Sequence, residues 1–163
     1  MNNYQLNTNW CLWYHNINDT NWKNNSYKNI YDIKNAYDIK FLNDTIHKIH
    51  LQNSMFFIMR EDIFPTWEDP DNRQGCCISF KIPNNILKEQ FDLILNSILS
   101  EDILKDKENT DYLNGFSIIP KKEFNIIKLW LRNHDENYID HLNIYEPCFI
   151  KDKALIKKHE LSD

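Results

Sequence analysis

Three tryptophans stand in polar settings, two of them in polar loops and one on the more basic face of a strand-like segment. Trp22 lies in a run of Asn, Asp, Thr and Lys, and Trp67 lies in a loop between two prolines, beside Glu68. Trp130 ends a strand-like segment on the side that also carries basic residues. Two indoles that face each other form a slot for a planar ring, and each stacking face contributes roughly 1–3 kcal/mol. These tryptophans therefore predict a binding platform for a flat ligand.

The charged residues near these tryptophans restrict the ligand further. A flat ring that carries a positive charge gains cation–π attraction from indoles. Glu68 supplies two acceptor oxygens, which suit the neighbouring N–H donors of guanine. Lys121 and Lys122 are placed to neutralise phosphates. The set indicates a cationic guanine with phosphates, the 7-methylguanosine cap of mRNA.

An enzyme is one alternative. Glu68, Asp69 and Asp71 could hold Mg²⁺ through their carboxylates, as a cap- or nucleotide-directed hydrolase requires, but a solvated acidic loop is the favoured interpretation. His47 and His50, three apart on a predicted helix, are favoured as surface residues over metal ligands. No paired acid and base or nucleophilic set is evident, so we predict a protein that is not an enzyme.

A carbohydrate-binding module is the other alternative, because aromatic platforms also stack sugars. It predicts no preference for a charged ring and no contribution from Lys121. The chain has only two glycines and no GxGxxG or GxxxxGK motif, which excludes the usual phosphate-cradling loops. We expect no cofactor.

Hydrophobic periodicity predicts many strands and about three helices without regular βαβ alternation, which is typical of an α+β fold with a mostly antiparallel sheet. The predicted strands are 10–15, 27–33, 55–60, 76–82, 115–119, 124–131 and 149–157, and the predicted helices are 36–51, 86–98 and 136–145. In strand 124–131 the side chains alternate between faces. Lys128, Trp130 and Arg132 share the more basic face.

Length and charge bound the protein class. The 163 residues predict one domain over 1–163, and the net charge of −5 argues against long RNA or DNA tracts as ligands. Four cysteines without CxxC spacing indicate reduced thiols. No apolar run approaches a membrane span, and residues 1–5 lack the features of a signal peptide. A cytoplasmic location is expected.

Three segments in order resemble the eukaryotic translation initiation factor 4E family of cap-binding proteins. They are 6–14 (LNTNWCLWY) with 19–22 (DTNW), 63–69 (IFPTWED) with 72–75 (NRQG), and 115–119 (GFSII) with Lys121 and Trp130. The resemblance implies one curved antiparallel sheet with about three helices on its convex face and the cap slot on its concave face. It also implies a role in translation initiation or its control.

The resemblance assigns roles to residues. Trp22 and Trp67 sandwich the methylated guanine, Glu68 binds its Watson–Crick edge, and Trp130 contacts the methyl group. Lys121 falls where the family has an arginine on the phosphates.

Departures from the family pattern occur at the phosphates and at the partner surface. Lys122 and Glu123 fall around a second basic position, and Lys128 and Arg132 are possible substitutes there. The family's first helix holds a tryptophan that receives helical peptides of scaffold factor 4G or of repressors. The corresponding region has no tryptophan and contains Ile39, Lys40, Phe41 and Asn43. We hypothesise a compact, divergent member of viral origin that binds scaffold peptides weakly.

Overall fold

A computed structural model of the chain describes residues 4–160, so the predictions made on Met1–Asn3 lie outside the described residues. Seven strands form one sheet in the order β2-β1-β3-β5-β6-β4-β7, and each neighbouring pair is antiparallel. The strands are β1 Gln5–His15, β2 Lys28–Asn35, β3 Met55–Arg60, β4 Cys76–Pro83, β5 Leu113–Pro120, β6 Phe124–Leu131 and β7 Leu155–Lys158. The predicted α+β class with a single curved antiparallel sheet is confirmed.

The helices cover one face of this sheet. They are α1 Ala36–Thr45, α2 Lys48–Asn53, α3 Leu87–Leu99 and the single turn α4 Tyr138–His141. Helix α3 buries Phe91, Ile94 and Leu95 in the same cluster as Ile127 and Leu129 of β6. No helix within residues 4–160 combines the length and the apolar character that a membrane span needs.

The opposite, concave face of the sheet carries a smaller buried cluster. Its buried members are Phe57, Met59, Ile63, Cys77 and Trp130. Trp13, Tyr27, Met55 and Trp67 pack against these residues and are partly buried. Because strand side chains alternate between faces, β6 supplies the main core with Ile127 and Leu129 and the concave cluster with Trp130.

Four predicted elements differ from the observed ones. The strand predicted over 10–15 begins five residues earlier, at Gln5. The helix predicted over 36–51 breaks into α1 and α2, because Ile46 leaves helical geometry to bury its side chain, and a new cap begins at His47. The helix predicted over 136–145 is only one turn. The strand predicted over 149–157 starts at Leu155, after a short 3-10 turn at Lys151–Lys153.

A buried ion pair joins β3 to the end of α3. The Arg60 guanidinium donates to both carboxylate oxygens of Glu101, at 2.6 and 2.7 Å. Its Nε donates to the Leu113 carbonyl at 2.7 Å, and the group lies 4.4 Å from the centre of the Trp10 ring. Arg60 therefore ties the centre of the sheet to a helix on the convex side.

Candidate functional site

Strand pairing places specific side chains together on the concave face, because residues directly opposite across an antiparallel pair share a face. One row across the sheet contains Trp13, Phe57, Ser117, Lys128 and Ser79. The next row contains Met59, Gly115, Trp130, Cys77 and Lys157. Trp130 and Lys128 therefore lie on the same face, as the alternation of β6 predicts.

Trp130 is held in place within the concave cluster. It is only 4% exposed, and its Nε1 donates to the Ser117 hydroxyl at 3.1 Å. Gly115 lies opposite Trp130, and a Cβ there would lie 2.2 Å from the Ile58 carbonyl oxygen. Glycine at this position therefore allows β5 to approach β3 closely next to Trp130.

The loop that carries Trp67 and Glu68 is closed by the carboxylate of Asp69. One oxygen of this carboxylate accepts from the Phe64 N–H at 3.0 Å and the other from the Asp71 N–H at 2.9 Å. A carboxylate used in this way stabilises a turn. Residues 4–160 contain no group of three or more His, Cys, Asp or Glu side chains that could hold a metal ion.

Asn72 supports the same loop from inside. Its fully buried side chain donates to the carbonyls of Phe64 and Thr66, at 3.0 and 2.9 Å. Asn114 of β5 donates to the Asn72 side-chain oxygen at 2.8 Å. The backbone just before Trp67 is thereby attached to the sheet. Buried polar groups are costly when unpaired, so these bonds restrict the loop to one conformation.

Trp67 lies against a histidine that follows β7. The rings of Trp67 and His159 stack with centroids 5.1 Å apart and planes 16° apart. His159 is 4% exposed, whereas Trp67 is partly exposed. Sequence reasoning missed His159, since no local pattern marks it.

Trp22 also lies against a histidine. Its ring stacks on His15 with centroids 4.1 Å apart and planes 3° apart. The ring nitrogens of His15 lie 2.9 Å from the Asn16 carbonyl and 2.8 Å from the Asn21 carbonyl. Trp22 itself is 52% exposed, which leaves part of the indole open to solvent. Sequence reasoning missed His15 as well.

Tyr27 lies between the Trp22 loop and the Trp67 loop. Its ring centroid is 6.4 Å from that of Trp22 and 5.4 Å from that of Phe64. Burial, followed by the negative charge of Glu68, raises the pKa of Tyr27 to about 12. Glu68 is exposed and makes no hydrogen bond or ion pair with another residue in 4–160, so its carboxylate stays available to a ligand.

The predicted phosphate-binding residues are not equally close to Trp130. Lys121 and Lys122 are exposed in the turn between β5 and β6, about 20 Å from Trp130 at roughly 3.3 Å per strand residue. Lys128 lies two residues from Trp130 on the same face. Arg132 is 3.5 Å from the Asp111 carboxylate. Lys128 and Arg132 are therefore both closer to Trp130 than the two turn lysines, and of these two only Lys128 has no carboxylate partner among residues 4–160.

The surface of α1 exposes aromatic residues at the predicted partner site. Tyr37 is 65% exposed and Phe41 is 48% exposed. Phe41 stacks on Tyr31 of β2, with ring centroids 5.1 Å apart. Lys40 is exposed and pairs with Asp44, Asn43 donates to Asn96, and Ile39 is half-buried.

Comparison with known proteins relates this chain to a single protein family by its sequence. The family model for eukaryotic initiation factor 4E matches residues 5–147. A eukaryotic translation initiation factor 4E homolog of Acanthamoeba polyphaga mimivirus is 28% identical over 75 residues. That match spans 46% of this chain and 28% of the length of the mimivirus protein.

Solved structures show the same fold. The C. elegans eIF4E-3 complex with the 4E-binding protein Mextli and a cap analog has a TM-score of 0.70 at 24% identity, covering 80% of this chain and 75% of that chain. The Ascaris suum eIF4E-3 complex with m7G cap has a TM-score of 0.71 at 20% identity, covering 82% and 76%. A schistosome eIF4E complexed with m7GpppA and 4E-BP has a TM-score of 0.72 at 17% identity, covering 82% and 74%.

Proposed function

Since this chain belongs to the eukaryotic initiation factor 4E family, we propose that it binds the 7-methylguanosine cap of mRNA, in translation initiation or its control, and catalyses no reaction. The observation that carries the proposal is the arrangement of the Trp67–Glu68 loop. It is fixed by Asp69 and Asn72 beside the buried Trp130 and presents an exposed, unpaired carboxylate. A cationic guanine needs a stacking face and an acceptor pair in this arrangement.

In this proposal the exposed Trp22 and the partly exposed Trp67 close on the base. Trp67 supplies one stacking face, and Trp22 approaches from the loop after β1 to supply the other. Glu68 accepts from the guanine ring N–H and amino group, while Trp130 forms the floor against the methyl group. Trp22 and Trp67 are not in ring contact in this structure, so binding brings Trp22 towards Trp67.

Tryptophan emission, titrated with 7-methyl-GTP, GTP and an oligosaccharide, tests the function. Methylation adds the positive charge that strengthens the sandwich, so we expect 7-methyl-GTP to bind far more tightly than GTP. Equal affinity for the two nucleotides would refute cap recognition. Preferential binding of the oligosaccharide would favour a carbohydrate-binding module, and Mg²⁺-dependent turnover of a cap analogue would favour a hydrolase.

For the phosphates, we propose that Lys128 binds the phosphate nearest the base and that Lys121 and Lys122 bind the phosphates further from it. Lys128→Ala should weaken 7-methyl-GTP binding roughly threefold to tenfold, by removing one charge-assisted contact. The loss should shrink from the triphosphate to the monophosphate ligand. Isothermal titration with the mono-, di- and triphosphates measures this trend, and salt dependence should be shallow because few phosphates are bound.

Lys121→Ala, in the turn between β5 and β6, is compared with Lys128→Ala by the same three affinities. Lys48→Ala on α2 is the control on the convex side. Lys48→Ala should leave all three affinities unchanged. If Lys128→Ala weakens the three ligands equally, Lys128 is not a phosphate ligand, and Lys121, Lys122 and Arg132 are the remaining candidates.

For protein partners, we propose that the α1 face binds helical peptides only weakly. Such a peptide needs a large anchor in the groove that it occupies. Lys40 and Asn43 cannot replace a tryptophan, and Phe41 offers half of its surface. A scaffold-factor peptide should show affinity well below that for an ordinary member of the family in calorimetry, and Phe41→Ala should abolish what remains. Ordinary tight binding would contradict this expectation, and Ile49→Ala, an exposed apolar residue on α2, is the control.

A further inference from the structure

The ring of His159 fills the space between two tryptophans of the concave face. It stacks on Trp67, and it meets Trp130 edge-on with centroids 5.5 Å apart and planes 60° apart. The backbone N–H of His159 donates to the Gly75 carbonyl at 3.0 Å, which fixes the backbone that carries the ring. At Gly75 a Cβ would lie 1.8 Å from the Leu131 carbonyl oxygen, so only glycine allows this approach. His159 is therefore placed by the same strand ends that place the Trp67 loop.

Hydrogen bonds determine which ring nitrogen of His159 carries the proton. Nδ1 lies 2.7 Å from the Asn72 carbonyl oxygen, which can only accept, so Nδ1 donates. Nε2 lies 2.9 Å from the Cys77 sulfur and accepts from its thiol. Burial raises the pKa of Cys77 to about 12, so the thiol keeps its proton. Both ring nitrogens are satisfied only by the neutral imidazole.

We propose that His159 is a positioning residue for the cap slot, whose neutral ring holds Trp67 in place and whose protonation weakens cap binding. This inference rests on the proposed function. His159 is buried and covers one face of Trp67, so a base can stack only on the other face of this partly exposed indole. That face receives the methylated base, and the base and the imidazole lie on opposite sides of one indole.

Charge explains why the ring must be neutral. The methylated base is a cation, and a protonated His159 would place a second positive charge about two stacking distances away. At roughly 8 Å, in surroundings between protein and water, the repulsion corresponds to a threefold to tenfold loss of affinity. Protonation of Nε2 would also remove the acceptor of the Cys77 thiol.

The groups around His159 also oppose its protonation. Burial lowers the pKa of His159, the positive charge of Lys128 on β6 lowers it further, and the bond to the Asn72 carbonyl acts in the opposite direction. Cys77 on β4 is the thiol partner of the ring, and Arg73 before β4, His134 after β6 and Lys158 of β7 line the same pocket. Glu68 and Glu160 are chain neighbours of Trp67 and His159, respectively. Below a pH of about 6.5 the unfolded chain binds protons that the folded chain does not. Stability is therefore lost as pH falls from that value to the lowered pKa.

The test compares 7-methyl-GTP affinity at pH 7.5 and 5.5 for the wild type, His159→Phe and His159→Gln. Phe keeps the stacking ring without the charge, and Gln keeps polar contacts without the ring. Ionisation of the ligand is common to all three proteins and cancels in their ratios. We expect the wild type to lose more affinity on acidification than either variant, and the difference should approach threefold to tenfold as the pH falls through the lowered pKa of His159. At pH 7.5 His159→Gln should bind threefold to tenfold more weakly than His159→Phe, because an aromatic pair is lost.

His141→Ala, at an exposed histidine on α4, should keep the wild-type pH profile. A wild-type pH profile in His159→Phe would overturn the inference and leave cap binding intact. If His159→Phe does not fold, the profile of His159→Gln decides in the same way. If the wild type binds GTP as tightly as 7-methyl-GTP at both pH values, the proposed function itself fails, and the inference with it.

Discussion

Glu101→Ala should lower the free energy of unfolding by about 3–5 kcal/mol, because it leaves the Arg60 guanidinium buried without a counter-charge. Arg60 is 8% exposed, and both Glu101 oxygens are bonded to it. Its remaining partners are the Leu113 and Thr110 carbonyls and the Thr8 hydroxyl, none of which carries a charge. Chemical denaturation followed by circular dichroism measures the loss.

An exposed ion pair supplies the control for this prediction. Lys40 and Asp44 on α1 lie 2.9 Å apart, with side chains 74% and 60% exposed. Solvent-exposed pairs contribute little, so Asp44→Ala should change the free energy of unfolding by less than about 1 kcal/mol. Equal losses for Glu101→Ala and Asp44→Ala would show that burial of Arg60 does not determine the stability of this contact.

Trp67→Ala should weaken 7-methyl-GTP binding by roughly 1–3 kcal/mol, because one of the two stacking faces is lost. Trp22→Ala should have a similar effect from the other side.

Glu68→Ala should weaken 7-methyl-GTP binding by roughly 1–3 kcal/mol, since two donors of the bound guanine lose their acceptors. The Trp67–Glu68 loop should keep its conformation in Trp67→Ala and Glu68→Ala. The loop backbone is held by Asp69 and Asn72, and these substitutions leave both residues in place. Isothermal titration calorimetry measures the affinities, because it does not depend on the emission of the tryptophans that are removed.

Asp71→Ala is the matched control for Glu68→Ala, since it removes an exposed carboxylate from the same loop. It should leave affinity within a factor of about two, as expected for an exposed rim charge. The sandwich would be refuted if Trp22→Ala bound 7-methyl-GTP like the wild type. Glu68 would lose its role if Asp71→Ala and Glu68→Ala weakened binding equally.

Local patterns were sufficient for most of the sheet and for the face of each β6 residue. In β6, the alternation of Ile127 and Leu129 with Lys128 and Trp130 is a property of consecutive side chains, and the strand period converts it into two faces. Proline and acidic residues around Trp67 likewise indicate a loop before any contact is known. The helix break at Ile46 escaped this reasoning, because burial of one side chain outweighed continued periodicity.

The sequence by itself determined the fold class and the family resemblance, because both depend on residue types and short spacings. Only the tertiary structure decided that His159 stacks on Trp67 and that His15 stacks on Trp22. His159 contacts Cys77 and Asn72 across 82 and 87 positions of the chain. That proximity arises because β4 pairs with β6 on one side and β7 on the other, and no local pattern specifies the order of strands in a sheet.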